Sequence, residues 1–330
     1  MKGLGSQKDW WRGGWIVFAA TLLASCGAKP VTYVTEHGLG PDKWATAWLL
    51  TQQISPGAQL SVVDIGKPLP PGTAFDVPGS PIQRQGKFSA FEVVSASHKI
   101  DDPDVQRFAR IVHDIEIGAW GAASDPESPV VEQAFRSLQE RYGRDTTLPA
   151  CYLKFFGAVH SAIITARESS APLTADSLAV DCGQIATQPA PGQIVAQIPI
   201  DHLLAEMKRG KSVVFVDVRE QDEYLEGHIP GALNLPIRDL DESAVRRVQA
   251  ADYVVSYCIK DFRGFEMAKA LKDAGVQNSV ILNPFGIRGW VEEGLPTIGS
   301  SAMSETDGRR RLTECIDSPS TCKAKATAKH

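Results

Sequence analysis

Hydrophobic and polar positions in the second half of the chain alternate between strand-like and helix-like periods. The β-branched runs at 212–218, 253–257 and 279–282 are typical of strands buried on both faces of a parallel sheet. Between them, 265–274 has the amphipathic spacing of a helix, and Gly275 is placed to end it. This alternation predicts a three-layer α/β domain with a central parallel sheet.

The first half of the chain is predicted to be mostly helical. A strand is expected at 58–65, and the stretch at 66–86, rich in glycine and proline, is expected to form loops. Helices are expected around Trp44 and Trp48 and at 105–114, 129–141 and 150–166. The pattern predicts a mostly helical α+β domain with its aromatic residues in the core.

Composition divides the chain into five segments. We expect a leader at 1–25, a first domain at 26–168, a linker at 169–192, a second domain at 193–299 and a tail at 300–330. The linker is rich in Ser, Ala, Pro and Gln, which is typical of a segment that crosses a surface. The tail is basic and polar, so we expect it to be solvated.

The leader has the features of an export signal. Three basic residues precede an apolar run at 15–24, which is too short to span a bilayer. The run ends in Leu23-Ala24-Ser25-Cys26, which resembles a bacterial lipobox and implies lipidation of Cys26. With Gly27 after the cysteine, this resemblance implies a lipid-anchored, periplasm-facing protein of the outer membrane. The alternative is a plain secretory signal or an uncleaved anchor in which Cys26 is incidental.

Charge and cysteine content narrow the function further. The 330 residues carry 34 basic and 39 acidic side chains without a basic patch, which argues against nucleic-acid binding. Six cysteines are too few for a disulfide scaffold, although an oxidising periplasm would favour pairing. A local bridge between Cys315 and Cys322 is plausible. Whether Cys151 and Cys182 form a bridge or stay as two buried thiols is left open.

Cys258 is the candidate nucleophile of the second domain. It follows a predicted strand and precedes a predicted helix, at the sheet edge where ligands bind in such folds. Backbone N–H groups of the turn and the helix N-terminus would favour the thiolate and lower the pKa of Cys258. Lys260 adds positive charge, and Arg263 could present a planar fork to an anion. The alternative is a structural cysteine at a strand end.

Two segments carry a resemblance to rhodanese domains. They are 217–236, DVREQDEYLEGHIPGALNLP, and 286–296, GIRGWVEEGLP. The resemblance implies that Cys258 carries a persulfide, receiving sulfur from a small-molecule donor and passing it to a thiol acceptor without a cofactor. It also implies that the rest of the loop binds substrate, namely Ile259, Lys260, Asp261, Phe262, Arg263 and Gly264. Asp217, Arg219 and His228 are then structural.

The loop has both typical and unusual features. Four residues separate Cys258 from Arg263, whereas related phosphatases have five, so the loop favours sulfur transfer over phosphoryl chemistry. Asp261 stands where the family often has glycine, and its carboxylate would disfavour the thiolate and repel an anionic donor. Gly264 replaces a usual Ser or Thr, and Phe285 replaces a glycine and is expected to narrow the pocket.

The first domain resembles the C-terminal domain of ChrB chromate-resistance proteins. The resemblance rests on 42–50, DKWATAWLL, and on 72–79, GTAFDVPG, continuing through 101–103 and 111–116. Family positions that carry cysteine, histidine and cysteine are here Thr46, Arg84 and Ser89, so thiol-dependent metal or oxyanion chemistry is lost. His113, Asp114 and Glu116 remain as weak metal-ligand candidates beside the reading of His113 as a structural histidine.

Together these features predict an envelope-tethered sulfurtransferase of the rhodanese type that forms a persulfide on Cys258. A link to chromate or oxyanion resistance follows from the first domain by association. The alternative is a non-catalytic module that binds an anion or a partner, or senses redox state through Cys258.

Overall fold

The computed structural model describes residues 30–77, 79–118, 123–183 and 195–322. Residues 31–330 form one compact unit. The lipobox cysteine, Cys26, lies outside the described residues. Among the helices that are described, none has both the length and the apolar character needed to cross a bilayer.

The first domain packs six helices around a small parallel sheet. Its strands are β1 (Thr32–Glu36), β2 (Gln59–Val63) and β3 (Thr73–Ala74), in the order β2-β1-β3. Its helices are α1 (Pro41–Trp48), which continues as a π-helix at Leu49–Ile54, α2 (Ala90–Ser97), α3 (Pro103–Glu116), α4 (Ser128–Tyr142), α5 (Pro149–Ser169) and α6 (Ala175–Leu178). The mostly helical α+β architecture agrees with the sequence pattern.

Local capping fixes where two of these helices begin. Ser89 and Glu92 form a reciprocal capping box at α2, which satisfies backbone donors that the first helical turn leaves free. The Asp102 carboxylate accepts from the amides of Asp104 and Val105 at the start of α3. These caps set where α2 and α3 begin. Glu116 at the end of α3 faces Arg263 of the second domain, whereas Glu92 of α2 pairs with His113 within the first domain.

The predicted linker is partly a packed element of the first domain. Leu173 and Leu178 are buried in the first domain's core, and Cys182 forms a disulfide with Cys151 at a Cα separation of 5.4 Å. Apolar burial and the covalent bond therefore hold 169–183 against α5, which corrects the prediction of a surface linker for this part. The remaining stretch, 184–194, lies outside the described residues.

The second domain is a five-stranded parallel sheet in the order β4-β8-β7-β5-β6. Its strands are β4 (Ala196–Pro199), β5 (Val213–Asp217), β6 (Leu233–Asn234), β7 (Tyr253–Tyr257) and β8 (Ser279–Asn283). Its helices are α7 (Ile200–Lys208), α8 (Gln221–Glu226), α9 (Glu242–Val248), α10 (Phe262–Asp273), α11 (Gly286–Glu292) and α12 (Glu305–Asp317).

Apolar side chains of the central strand β7 alternate between the two faces of this sheet. Val255 and Tyr257 pack with α7, α11 and α12, whereas Val254 packs with α9 and α10. This alternation is the period-2 geometry of a strand buried on both sides. The predicted three-layer α/β fold with a central parallel sheet is confirmed.

The structure corrects the prediction of a solvated tail from residue 300. Helix α12 buries Leu312, and Cys315 and Cys322 form a disulfide inside the second domain's core. Lys208 of α7 also donates to the carbonyl of Asp317 at 2.7 Å. The basic run at 309–311 lies on one face of an amphipathic helix whose other face is apolar. The charge of this run led to the prediction of a solvated tail. Residues 323–330 lie outside the described chain.

Candidate functional site

Cys258 lies directly after β7, at the carboxyl end of the central strand, and is 3% exposed. The N–H of Gly264 donates to its sulfur, which lowers the pKa of the thiol. A side chain at Gly264 would lie 3.0 Å from the Cα of Tyr257 and 3.1 Å from the carbonyl oxygen of Ser256. The glycine therefore lets α10 approach the strand closely enough for this hydrogen bond.

The N-terminus of α11 supports the loop from its other side. Ile287 donates its N–H to the carbonyl of Cys258 at 2.9 Å, and Arg288 donates to the carbonyl of Ile259 at 3.1 Å. Gly286 has a φ of 63°, and a Cβ at this position would lie 1.9 Å from the carbonyl oxygen of Lys260. The second family-like segment thus holds the backbone of the cysteine loop in place.

Burial, more than the local positive charge, controls the acidity of Cys258. Desolvation raises the pKa of the thiol, and Arg263 only partly opposes this effect. The negative charges of Glu116 and Asp261 raise the pKa further. The expectation of a lowered pKa is therefore wrong, because the sequence pattern does not reveal how deeply the thiol is buried in the core of the second domain.

The first domain neutralises the unusual carboxylate of the loop. Asp261 is 1% exposed, and its Oδ1 lies 2.6 Å from Nη1 of Arg136 while its Oδ2 lies 2.8 Å from Nη2 of Arg144. Lys260 forms an ion pair with Glu132, which also belongs to α4. Asp261 thus pairs with two arginines of the other domain, which offsets its repulsion of an anion.

Aromatic side chains extend this contact between the domains. The Arg136 guanidinium lies over the rings of Phe262 and Phe285, at 4.7 and 4.6 Å from their centroids. Phe262 packs into the first domain's core, with its ring centroid 5.6 Å from that of Phe135. Phe285, which replaces a family glycine, therefore supports an arginine of the first domain.

Both ends of the Arg263 guanidinium face carboxylates. Its Nη1 and Nη2 donate to Glu223 at 3.2 and 3.3 Å, and its Nε lies 3.3 Å from Oε1 of Glu116. Burial would raise the pKa of Glu223, but Arg263 and Arg84 outweigh it and lower the pKa to about 2. For Glu116 burial prevails and raises the pKa to about 8 despite both arginines.

A cavity of about 560 Å³ lies between the two domains beside this cluster. Its lining includes Asp42, Arg84, Glu116, Arg263 and Glu266. Within the described chain, Oε2 of Glu116 and Nε of Arg84 are buried without a hydrogen-bond partner. Polar atoms of this kind are available to a bound molecule.

Thr46 and Ser89, two of the three positions where the family resemblance implies other residues, lie beside Asp42, which was not predicted as a site residue. Thr46 donates to Asp42 at 3.2 Å, and the α2 amides that follow Ser89 donate to the same carboxylate at 2.7 and 3.0 Å. Arg84 lies 3.2 Å from Glu223 of the second domain. Burial and Asp76 raise the pKa of Asp42 to about 6. The segment 42–50 that carries the family resemblance includes Asp42, but no local pattern shows that this carboxylate is buried, because its environment comes from separate segments of the chain.

The weak metal candidates do not form a ligand set. His113 pairs with Glu92 at 3.0 Å, and Asp114 accepts from Ser124 and Ser128 at 2.7 Å each. Glu116 faces Arg263 instead. Successive helical positions rotate by about 100°, so these three side chains diverge. In the described part of the chain, no group of three or more His, Cys, Asp or Glu side chains is arranged to hold a metal.

The residues expected to be structural make structural contacts. Arg219 donates to the Asp217 carboxylate at 2.9 and 2.6 Å and to the Gly227 carbonyl at 2.7 Å. His228 donates through Nδ1 to the Tyr224 carbonyl at 2.8 Å, and its ring stacks on that tyrosine. Asp217 and Arg219 are almost fully buried, so this pair anchors the turn after β5.

Comparison with known proteins identifies both domains. The family described as "Rhodanese-like domain" matches residues 200–293, and "ChrB, C-terminal domain" matches residues 33–163. The thiosulfate:glutathione sulfurtransferase of Saccharomyces cerevisiae is 30% identical over 99 residues, covering 26% of this chain and 70% of that protein. The chain belongs to the rhodanese-like family. Its rhodanese domain places it among sulfur-transfer proteins, and the resemblances of the two domains seen in the sequence are confirmed.

Other proteins are similar to part of this chain as well. An uncharacterized protein of Synechocystis sp. is 32% identical over 95 residues, covering 29% of this chain and 52% of that protein. This chain therefore spans about half the length of that relative. The solved structure of a rhodanese-related protein from Thermoplasma volcanium is 27% identical, with 31% of this chain and 97% of that chain covered and a TM-score of 0.28.

Proposed function

We propose that the rhodanese domain transfers sulfur through a persulfide on Cys258. The main support for this proposal is the position of the Cys258 thiol in the sheet. Cys258 is the free cysteine of the described residues and lies at the carboxyl end of the central strand, with the Gly264 amide on its sulfur. The other four described cysteines are paired in disulfides. The sulfurtransferase named among the relatives supports the same chemistry.

The proposed reaction consists of two displacements. The Cys258 thiol first loses its proton to solvent, and the thiolate attacks the outer sulfur of a donor such as thiosulfate. The donor's S–S bond breaks, and its electron pair leaves with sulfite. An acceptor thiolate then attacks the outer sulfur of the persulfide, and the bond to Sγ of Cys258 breaks. Cys258 leaves as a thiolate, and the sulfur passes to the acceptor without net oxidation of the protein.

The test uses residues 31–330, which form one compact unit with their own cores. The protein is incubated with thiosulfate and then with cyanide, and its intact mass is followed. We expect a gain of one sulfur atom that cyanide removes, and no gain in Cys258→Ser. Absence of the adduct with thiosulfate and with a thiol persulfide donor would contradict the proposal.

A non-catalytic binding function is the second candidate, and one observation favours it. Oε2 of Glu116 and Nε of Arg84 are buried beside the interdomain cavity without a hydrogen-bond partner among the described residues, so they are available to a bound molecule, whereas burial raises the pKa of Cys258 and slows its attack on a donor. In this case the cavity would bind a small molecule, and Cys258 would form no sulfur adduct. The sulfur-adduct measurement separates the two candidates.

We propose that the protein is anchored to the outer membrane through a lipid on Cys26 and faces the periplasm. The lipobox-like leader and Gly27 support this location. Metabolic labelling with a fatty acid should mark the full-length chain and not Cys26→Ala, and membrane fractionation should follow the label. An unlabelled, soluble wild-type chain would contradict the proposal.

We propose that the protein contributes to chromate or oxyanion resistance, which the match of residues 33–163 supports by association. A deletion strain should become sensitive to chromate, and the wild-type chain should restore resistance. If Cys258→Ser restores resistance fully, the thiol has no part in that phenotype.

A further inference from the structure

The first domain covers the face of the cysteine loop that points away from the sheet. The five residues from Cys258 to Phe262 are each between 1% and 8% exposed. A lysine such as Lys260 is rarely buried unless another part of the chain packs on it and pairs with its charge, as Glu132 does here. The loop is therefore inaccessible to a macromolecule in this arrangement of the two domains.

Charge pairing holds this cover in place. Separating the domains would leave Asp261 without Arg136 and Arg144, and Lys260 without Glu132. Breaking buried ion pairs is costly because each charge loses its partner. The ring of Phe262 would also leave the aromatic core around Phe135. Spontaneous opening is therefore expected to be rare.

The cavity between the domains borders the cysteine loop through the side chain of Arg263. Arg263 and Glu116, which lie 3.3 Å apart, both line the cavity, whereas Cys258 is not among its lining residues. A small molecule in the cavity would therefore reach the thiol past these two side chains. The cavity holds about 560 Å³, within the range typical of small-molecule sites. Its buried, unpartnered Glu116 Oε2 can hydrogen-bond a molecule that enters.

We propose that Cys258 exchanges sulfur only with small molecules that enter the interdomain cavity, so that protein thiols are excluded as acceptors. This inference rests on the proposed sulfur transfer and names the substrate class for it. The two steps remain the displacements described above, with a low-molecular-weight thiol as the acceptor. The first domain thus acts as a size filter over the rhodanese site.

Labelling of Cys258 with two maleimides of different size tests access independently of sulfur transfer. We expect N-ethylmaleimide to label Cys258 in residues 31–330, and a maleimide carrying a long polyethylene glycol chain to react about 100-fold more slowly, since it needs an open state. The size control is Glu242→Cys in a Cys258→Ser background, because Glu242 is 94% exposed. Both reagents should label that position at similar rates.

A variant that weakens the cover provides the matched comparison. Arg144→Met removes one ion pair with Asp261 while keeping an apolar side chain over the ring of Phe265. We expect the large maleimide to react faster with this variant, with an unchanged circular dichroism spectrum. Equal rates of the two reagents in the wild type would overturn the proposal. Failure of both to react would overturn it as well, because the cavity would then give no access.

Discharge of the persulfide tests the consequence for the acceptor. Free cysteine should remove the sulfur from wild-type Cys258, whereas reduced thioredoxin should be about 100-fold slower, gaining speed in Arg144→Met. Equal discharge by both acceptors in the wild type would overturn the size filter. If thiosulfate forms no adduct, the proposed function fails, and the labelling experiment still decides access.

Discussion

Replacing Asp261 with asparagine removes the charge that joins the cysteine loop to the first domain. The carboxylate is 1% exposed and lies 2.6 and 2.8 Å from the guanidinium groups of Arg136 and Arg144. Asparagine has nearly the same shape, so the substitution tests charge with little change in packing. Two arginines that are only 13% and 19% exposed would then face a neutral side chain.

The expected cost follows from the burial of the three groups. Removing one partner of a buried pair costs about 3–5 kcal/mol, because the remaining charge stays desolvated. Arg136 keeps Glu132 at 2.9 Å, and Arg144 keeps its contact with the Phe265 ring. We therefore expect a loss of about 3 kcal/mol in the free energy of unfolding, at the lower end of that range.

Urea unfolding of residues 31–330, followed by tryptophan fluorescence, measures this loss. Trp44 and Trp48 report on the first domain and Trp290 on the second, and all three are buried. Asp273→Asn is the control, because Asp273 is 44% exposed and pairs only with Lys269 on the same helix face. There we expect less than about 0.5 kcal/mol. A loss below about 1 kcal/mol for Asp261→Asn would refute the interdomain pairing argument.

Three further predictions concern other parts of the molecule. Burial raises the folded-state pKa of Glu116 to about 8, above its value in the unfolded chain, so the free energy of unfolding should fall as pH rises toward 8. In urea titrations at several pH values, Glu116→Gln should make the free energy of unfolding less dependent on pH. The same pH dependence in the variant as in the wild type would argue against this assignment. Replacing Cys151 and Cys182 together with serine should cost about 3–4 kcal/mol for a separation of 31 residues, measured by thermal unfolding, whereas an unchanged Tm would contradict the bridge. Gly286→Ala should displace the Lys260 carbonyl and abolish the sulfur adduct, and adduct formation at the wild-type rate would show that the loop tolerates a Cβ there.

The sequence by itself determined three strands and one helix of the rhodanese domain and the identity of its nucleophile candidate. The strand predicted at 253–257 is β7 with the same bounds, and the run predicted at 212–218 contains β5 (Val213–Asp217). Period-2 alternation of β-branched residues and the glycine at a helix end are local signals, so they are readable without the fold. The position of Cys258 after β7 follows from the same local pattern.

The local sequence pattern predicted the start of helix α10 and the structure of the C-terminal segment less well than it predicted the strands. Helix α10 begins at Phe262, three residues before the predicted start, because Phe265 donates its N–H to the Asp261 carbonyl. The basic run at 309–311 suggested a solvated tail, yet Leu312 and Cys315 on the same helix are buried. A short amphipathic helix with a highly charged face resembles a tail until its partner surface is known.

Only the tertiary structure decided the environment of the thiol. Glu116 and Arg263 meet across the two domains, and Asp261 pairs with Arg136 on α4 and with Arg144 just after α4, although nothing near these residues in the sequence marks the pairing. Cys258 is buried among side chains from several strands and helices of the second domain, and burial raises its pKa where Arg263 alone would lower it. Desolvation and long-range ion pairing depend on which surfaces meet, and that is a property of the assembled fold rather than of any local segment.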